Sequence, residues 1–435
     1  MDDTRYDDGI HTIDTHYLRP SFDAAHLVVQ DGRAAFIDCG TAHSVPHLLA
    51  ALTTHGLAPT AVDWLLLTHV HLDHAGGAGQ LLQALPNARL AVHPRGAPHM
   101  IDPRKLIDAS IAVYGAEDYA RLYGDLLPID GARVSSTADG ERLALGGRTI
   151  EVVHTPGHAL HHQAYRDHAA QVIFTGDTFG LAYPPLAVQG RPFALPTTSP
   201  TQFDPQQLIA SIRRVVALAP RAAYLTHYGR ISDIARVGDD LVRMVQRFTD
   251  AALAVADMTS SGEARDALRS ALRAIVLAEW RRFGATGPES LLDEWAGLDF
   301  DLNADGLLAW CARRTPRPCW CCALRATRPR PCAASRPTCW RCCARSSPMR
   351  RFRLRRTERA QRKPSMNPAN AVLNPDPEVI VFNLKERYTG VSATINALVP
   401  LQALQWRLGF CGTRMSNGID GMGLREAIRL SRKPP

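Results

Sequence analysis

Ten residues, Thr68-His69-Val70-His71-Leu72-Asp73-His74-Ala75-Gly76-Gly77, limit what this chain can become. They follow Trp64-Leu65-Leu66-Leu67, an apolar run that reads as a short buried strand. Gly76 and Gly77 then release the chain into an amphipathic helix that begins near Ala78. Three histidines and an aspartate within six positions therefore sit at a strand end, where a loop can turn each polar group toward one point. Packing accounts poorly for such density, because polar groups crowded together without partners are costly unless something binds them. A metal ion is the expected occupant. Imidazole suits zinc, iron, nickel and copper, and the carboxylate adds a hard ligand. No cysteine takes part, which argues against a closed structural zinc knot; catalytic sites keep one position open for water.

The surrounding pattern supplies a scaffold. Residues 10–15 alternate, and the apolar runs 25–30 and 34–40 flank the turn signal Asp31-Gly32. Residues 44–55 read as a helix, 63–68 as the strand that delivers the cluster, 80–85 as a helix and 88–93 as a strand. This ββαβαβ order is an α/β layered one. Residues 98–128 form a more helical insertion, whose Tyr114, Tyr119, Leu122 and Tyr123 are expected to pack rather than to line a pocket. Strands resume at 141–145, 149–154, 163–166 and 171–178, and 222–229 closes the series. Three of them run into Thr155-Pro156-Gly157-His158, Thr175-Gly176-Asp177-Thr178 and Thr226-His227-Tyr228-Gly229. Each ends on His or Asp close to Gly, as the first cluster does, which suggests ligands gathered on one shared edge of a layered sheet. Beyond them, 233–310 is helical, with short segments at 291–295 and 306–310.

Composition sharpens the picture only when read by segment. The net charge of +8 belongs to a tail: residues 1–310 hold 25 Lys and Arg against 36 Asp and Glu, whereas 311–365 hold 17 basic residues and one acid, Glu358. An acidic main region argues against a nucleic-acid partner. Cys39 stands alone before residue 311, as expected in a reducing compartment. The N-terminus shows no basic and apolar export pattern, and no apolar run is long enough to span a membrane. A cytoplasmic protein without a membrane partner is the expectation.

The four stations together resemble the metallo-β-lactamase-fold hydrolase superfamily. The complete His-x-His-x-Asp-His form and the late His resemble its glyoxalase II-like branch. The resemblance covers residues 10 to about 232 and implies a four-layer αββα sandwich with a two-metal site at the sheet edges. Carried over position by position, His69, His71 and His158 hold one ion, Asp73, His74 and His227 the other, and Asp177 bridges them. Two divalent ions are implied, zinc first, with iron or manganese as alternatives. The implied chemistry is attack by a metal-bridged hydroxide on the carbonyl of a small-molecule thioester, ester or lactone. Asp73 would orient the nucleophile and relay a proton. The enzyme implied is a dinuclear metallohydrolase, hydroxyacylglutathione-hydrolase-like or lactonase-like. Tyr228 is either an oxyanion donor or an outward residue; one of His161 and His162 is expected to support the ligands and the other to face solvent. His154 and Thr178 read as structural. Arg230 is the only basic residue near the late His that a glutathione thioester would use. Two other classes stay open: a non-catalytic metal-binding or regulatory member, and a di-iron oxidoreductase. Members of the latter kind usually carry a flavin or rhodanese partner domain, and this sequence shows neither.

Four regions follow: a catalytic domain at 1–232, accessory helices at 233–310, an Arg/Pro/Cys-rich disordered segment at 311–365, and 366–435. The third has irregular cysteine spacing and no apolar period, and resembles translation in the wrong frame. The last weakly resembles the opening of a bacterial glycosyltransferase, with a strand at 378–384 and a loop entering a helix at 387–394. A frameshift joining two genes accounts for both. A homodimer is left as an option.

Overall fold

Alternating apolar residues sort the strands into two layers. The computed structural model describes residues 3–6, 8–198, 202–258, 260–314, 383–388 and 391–396. Its first sheet holds β1 (Asp3–Tyr6), β2 (Ile10–Asp14), β3 (Ala24–Gln30), β4 (Arg33–Ile37), β5 (Val62–Leu66), β6 (Arg89–Val92) and β7 (Val134–Ser136), side by side in chain order. β1 to β4 pair antiparallel and β4 to β7 parallel. Parallel neighbours need crossovers. These are α1 (Val45–Thr54), then α2 (Leu72–Ala75) with α3 (Ala78–Ala84), then α4 (Ala97–Ile101), α5 (Arg104–Tyr114) and α6 (Ala116–Tyr123).

The second sheet holds β8 (Arg142–Leu145), β9 (Arg148–His154), β10 (Gln163–Asp167), β11 (Val172–Phe174), β12 (Ala222–Leu225) and β13 (Gly229–Ile231), again neighbours in chain order. Only β11 and β12 pair parallel, and α7 (Pro205–Ala217) crosses between them. No element was expected between 178 and 222, although Asp204-Pro205 is a helix start: the Asp204 carboxylate accepts from the Gln207 N–H, and Pro205 occupies the first turn.

The period of two builds both cores. On β4, Ala34 and Phe36 join Leu48 and Leu52 of α1 and Leu81 and Leu82 of α3. The intervening Ala35 and Ile37 join Leu145, Val152, Tyr165 and Phe174 of the second sheet. Helices thus cover the first sheet, and α7 buries Leu208, Ile212 and Val215 beside the second, completing the αββα sandwich.

Three long helices follow: α8 (Ile234–Val255), α9 (Ser261–Arg282) and α10 (Glu289–Arg314). Leu241, Met244, Val245, Phe248, Leu268, Leu272 and Val276 are buried, as their spacing predicts. Where two short segments were expected, α10 is continuous. The Trp280 indole N–H donates to the Leu186 carbonyl, and the Thr198 hydroxyl to that of Asn303, both 2.8–3.0 Å. No helix among the described residues is long and apolar enough to cross a membrane.

Farther along, Asn383–Tyr388 pairs antiparallel with Val391–Asn396. The expected loop-to-helix transition at 387–394 is therefore corrected: its described residues, 387–388 and 391–394, are strand. The expectations for 315–382, and for 397–435, lie outside the described residues.

Candidate metal centre

β5 ends at Leu66, and His69 and His71 follow before α2 begins at Leu72, with His71 in extended backbone. α2 spans a single turn and presents Asp73 and His74 side by side. From the second sheet, β9 leads to His158, β11 to Asp177 and β12 to His227. The ligand stations therefore do not share one sheet edge; they face each other from both sheets. The sheets are joined there by bonds from Gln163 N–H to the Thr68 carbonyl (2.8 Å) and from Ala24 N–H to the Thr226 carbonyl (2.8 Å).

Among the described residues, three groups bring possible ligand atoms within 4.8 Å of one another: His69, His71 and His158; His69, His74 and Asp177; and Asp73, His74 and His227. His71 Nδ1 lies 2.8 Å from His69 Nε2 and 3.1 Å from His158 Nε2. Asp177 reaches both sides. Its Oδ2 is 3.4 Å from His158 Nε2, and its Oδ1 is 3.3 Å from His74 Nε2 and 3.8 Å from His227 Nε2. Asp73 Oδ2 stands 3.6 Å from His227 Nε2 and 3.8 Å from His74 Nε2. All seven sequence candidates thus converge. His71 and Asp73 are half-exposed and the other five are buried, which leaves one side open to a substrate.

Three of the histidines are aimed by the bonds their outer nitrogens make. A carbonyl can only accept, so the 2.9 Å contact to Phe22 O fixes the proton of His227 on Nδ1. His74 Nδ1–H donates to Asp38 Oδ2 at 2.9 Å. The Thr68 hydroxyl donates to Asp38 and accepts from His69 Nδ1–H at 3.1 Å. Each arrangement leaves an Nε2 lone pair directed inward, as metal ligation requires. Asp38 also accepts from Thr68 N–H (2.8 Å) and the Thr226 hydroxyl (2.9 Å). It was not singled out from sequence, although Asp38-Cys39-Gly40 repeats the strand-end grammar of the ligands.

His162 supports the site as one of the pair was expected to: Asp177 N–H donates to its Nε2 at 3.2 Å, so its Nδ1–H points to the Thr155 and Thr178 hydroxyls. The expectation that the other histidine faces solvent is corrected. His161 is 9 % exposed, and Val70 N–H approaches its Nδ1 at 3.5 Å. Its ring packs against those of His69 and His71, at 6.2 and 5.8 Å between ring centres. His154 is structural, bonded to the Thr137 carbonyl at 3.1 Å. The second sheet approaches so closely that a Cβ on Gly176, at φ +48°, would lie 2.7 Å from the Thr68 side chain and 2.8 Å from His162 Nε2.

The site suits a cation. The buried atoms His74 Nε2 and Asp177 Oδ1, both facing the site, have no hydrogen-bond partner. Burial pushes His69 and His158 far below the usual histidine range, and neighbouring histidines add to it, so these rings offer lone pairs. Burial alone would also lower His74, but Asp177, Asp73 and Asp38 push it up to about 10. His227 is raised likewise, against its burial, by Asp177, Asp73 and Asp23. Burial would raise Asp73, yet His74 and His227 hold it well below the usual carboxylate range. Such mutual attraction for positive charge at converging donors is what a divalent ion satisfies.

A loop on the open side was not foreseen. His16, Leu18 and Ser21 all have φ near +58 to +59°, a costly backbone for side chains with a Cβ. Asp14 holds it closed, accepting from His16 N–H (2.8 Å) and Ser21 N–H (2.6 Å). Tyr17 donates its hydroxyl to that of Tyr123 at 3.1 Å. Arg19 donates to the carbonyls of Glu294 and Trp295, and its guanidinium lies 4.1 Å from the Trp295 ring centre. Of the insertion's tyrosines, Tyr119 and Tyr123 pack against Leu72 and Leu126 as expected, whereas Tyr114 is 41 % exposed.

A two-sheet sandwich that gathers histidines and aspartates at facing strand ends defines a class, and a family model agrees: residues 19–227 match the metallo-beta-lactamase superfamily. Through this region the chain is similar to that superfamily. It is 26 % identical over 229 residues to a metallo-beta-lactamase fold-containing protein of Sulfurisphaera tokodaii, covering 52 % of this chain and 80 % of that one. It is 31 % identical over 204 residues to a hydroxyacylglutathione hydrolase of Xylella fastidiosa strain M23, covering 46 % of this chain. The aligned region spans 57 % of that hydrolase's length. The solved structure of a metallo-beta-lactamase family protein from Thermus thermophilus superposes with a TM-score of 0.48 at 24 % identity, over 65 % of this chain and 97 % of that one.

Proposed function

We propose that this chain is a dinuclear metal-dependent hydrolase of a small-molecule thioester, ester or lactone. The observation that carries the reading is Asp177, whose two oxygens each face a different group of histidines while Oδ1 has no hydrogen-bond partner. His69, His71 and His158 would hold one ion, Asp73, His74 and His227 the other, with Asp177 between. Bound divalent ions supply an acidified water and a polarised carbonyl oxygen.

The chain's own groups do the rest. Asp73, kept ionised by His74 and His227, accepts and orients a water proton on the open side of the site. Asp38, Thr68 and the Phe22 carbonyl keep the imidazole protons on the outer nitrogens. Burial and the Asp73 charge push the Tyr17 phenol above its usual range, so Tyr17 stays neutral and lines the approach beside Tyr123. Zinc is the first choice of metal, since imidazole and carboxylate together suit it. The relatives' name favours the glutathione thioester; the sequence beside His227 offers Arg230 alone as a basic group for it, which favours a lactone or another thioester.

Metal analysis of wild type and Asp177→Ala, together with a panel of thioester, lactone and β-lactam substrates, tests the reading. Two ions per wild-type chain, fewer in the variant, and turnover of one ester class are expected. A wild type that takes up no metal refutes the dinuclear reading. Full metal content without turnover across the panel turns the assignment to a binding or regulatory member of the fold.

A further inference from the structure

Away from the metal centre, a cavity of about 310 Å³ opens where α8 and α9 meet the loop that follows Val188. Its polar lining is Arg191, Arg236, Arg282, Asp240 and Glu279, and its apolar lining includes Phe193, Met244 and Phe283. The carboxylates are already saturated. Glu279, 6 % exposed, accepts from Arg243, Arg247 and Arg282. Asp240 accepts from Arg236 on one oxygen and from Arg243 and Arg282 on the other. Asp233 adds a second partner for Arg236.

Five guanidinium groups, those of Arg191, Arg236, Arg243, Arg247 and Arg282, thus meet three carboxylates around the cavity, whose own lining carries three of these guanidiniums and two of the carboxylates. Arg191 has no carboxylate partner among the described residues. Its guanidinium lies 4.7 Å from the Phe283 ring centre, and so does that of Arg236. Arg236 is already flanked by Asp233 and Asp240, so Arg191 is the guanidinium at this ring left to meet an added anion. Gln189 and Gly190, both at positive φ, make the tight turn that swings Arg191 back toward this ring, closed by the paired Val188 and Arg191 backbones.

We propose that this cavity binds a small organic dianion, a phosphate monoester carried on a planar apolar body. The surplus of guanidinium over carboxylate suits a phosphate monoester, which is close to doubly charged at neutral pH. Guanidinium forks match phosphate oxygens in geometry. Phe193, Met244 and Phe283 give a flat or flexible apolar wall for a ring. The volume sits at the small end of ligand pockets, which fits one ring and one phosphate. The site is independent of the hydrolase reading and uses none of its residues.

Phenyl phosphate is the probe, titrated calorimetrically into the metal-replete full-length chain, with inorganic phosphate and benzoate in parallel. Phenyl phosphate is expected to bind one site, and Arg191→Ala to weaken it about tenfold or more, the loss typical of one charged hydrogen bond. Arg191→Lys keeps the charge but not the fork, and should recover part of the loss. Arg191 is exposed and, among the described residues, bonds only through its backbone and the Phe283 ring, so both variants should fold; circular dichroism checks this. Asp177→Ala should leave the affinity unchanged. Binding lost in Asp177→Ala but kept in Arg191→Ala places the probe at the metal centre and overturns the proposal. So does the absence of binding. Inorganic phosphate as tight as phenyl phosphate would remove the apolar wall from the argument, and benzoate as tight would remove the dianion; either result overturns the assigned ligand class.

Discussion

Asp38→Asn separates the residues that aim the ligands from the ligands themselves. Asp38 Oδ2 accepts from His74 Nδ1–H, the Thr226 hydroxyl and the Thr68 hydroxyl, and Oδ1 accepts from Thr68 N–H. An amide of the same shape keeps one acceptor and turns the other corner into a donor. Hydroxyls can rotate to accept from it, but Thr68 N–H and the His74 N–H cannot, so one of these two buried donors is left facing another donor. That costs roughly 1–3 kcal/mol, and loss of a charge-assisted bond to His74 adds a comparable amount, so metal-free stability should fall by about 3–5 kcal/mol. His74 is then free to turn or to change tautomer, and metal affinity should fall about 10–100-fold, as for other outer partners of ligand histidines. Chelator competition measures the affinity and urea unfolding the stability. A variant that loses the stability but keeps wild-type affinity refutes the positioning role and reduces Asp38 to a packing element.

Two further perturbations probe the scaffold. His26 is buried between Thr12 and the Leu225 carbonyl, and burial, only partly offset by that carbonyl, lowers it to about 4. The unfolded chain binds this proton below about pH 6.5 and the folded chain only below about 4. Stability from this residue is therefore complete above about 6.5 and declines by about 3 kcal/mol as the pH falls to about 4. His26→Gln should flatten that part of the acid unfolding curve, and an unchanged slope contradicts the argument. Gly176→Ala adds a Cβ that would stand 2.7 Å from Thr68, at a left-handed backbone position. It should cost about 2–4 kcal/mol by denaturant unfolding, from overpacking and the positive φ together; a neutral variant would mean that the two sheets separate freely at this point.

The candidate ligands were legible because chemistry concentrates them: no packing role asks for His69, His71, Asp73 and His74 so close together. Strands β4, β5, β9 and β12 were legible from apolar runs with turn signals at their ends. β7 and β13, three residues each, are too short to show a period. Asp38 is a single carboxylate at the end of an ordinary strand, and only the fold reveals that it collects Thr68, His74 and Thr226. The same holds for the loop around Tyr17, whose unusual backbone is set by two bonds to Asp14 rather than by glycine. His161 was misjudged because neighbours in sequence say little about burial when a second sheet closes over them. The placement of ligands on two facing sheets, rather than on one edge, depends on which strands pair, and pairing is long-range information.

That placement ties the site to the folding of the whole sandwich. The first sheet and its helices supply His69, His71, Asp73 and His74; the second supplies His158, Asp177 and His227. A chain that has built only its first half owns a partial set of donors, and a chain whose sheets have formed but not docked owns two. High-affinity metal uptake therefore reports completed assembly, and a bound ion acts as a latch across the seam: it favours the docked state by mass action and slows the parting of the sheets, with less effect to the extent that the first cluster also holds metal in the undocked chain.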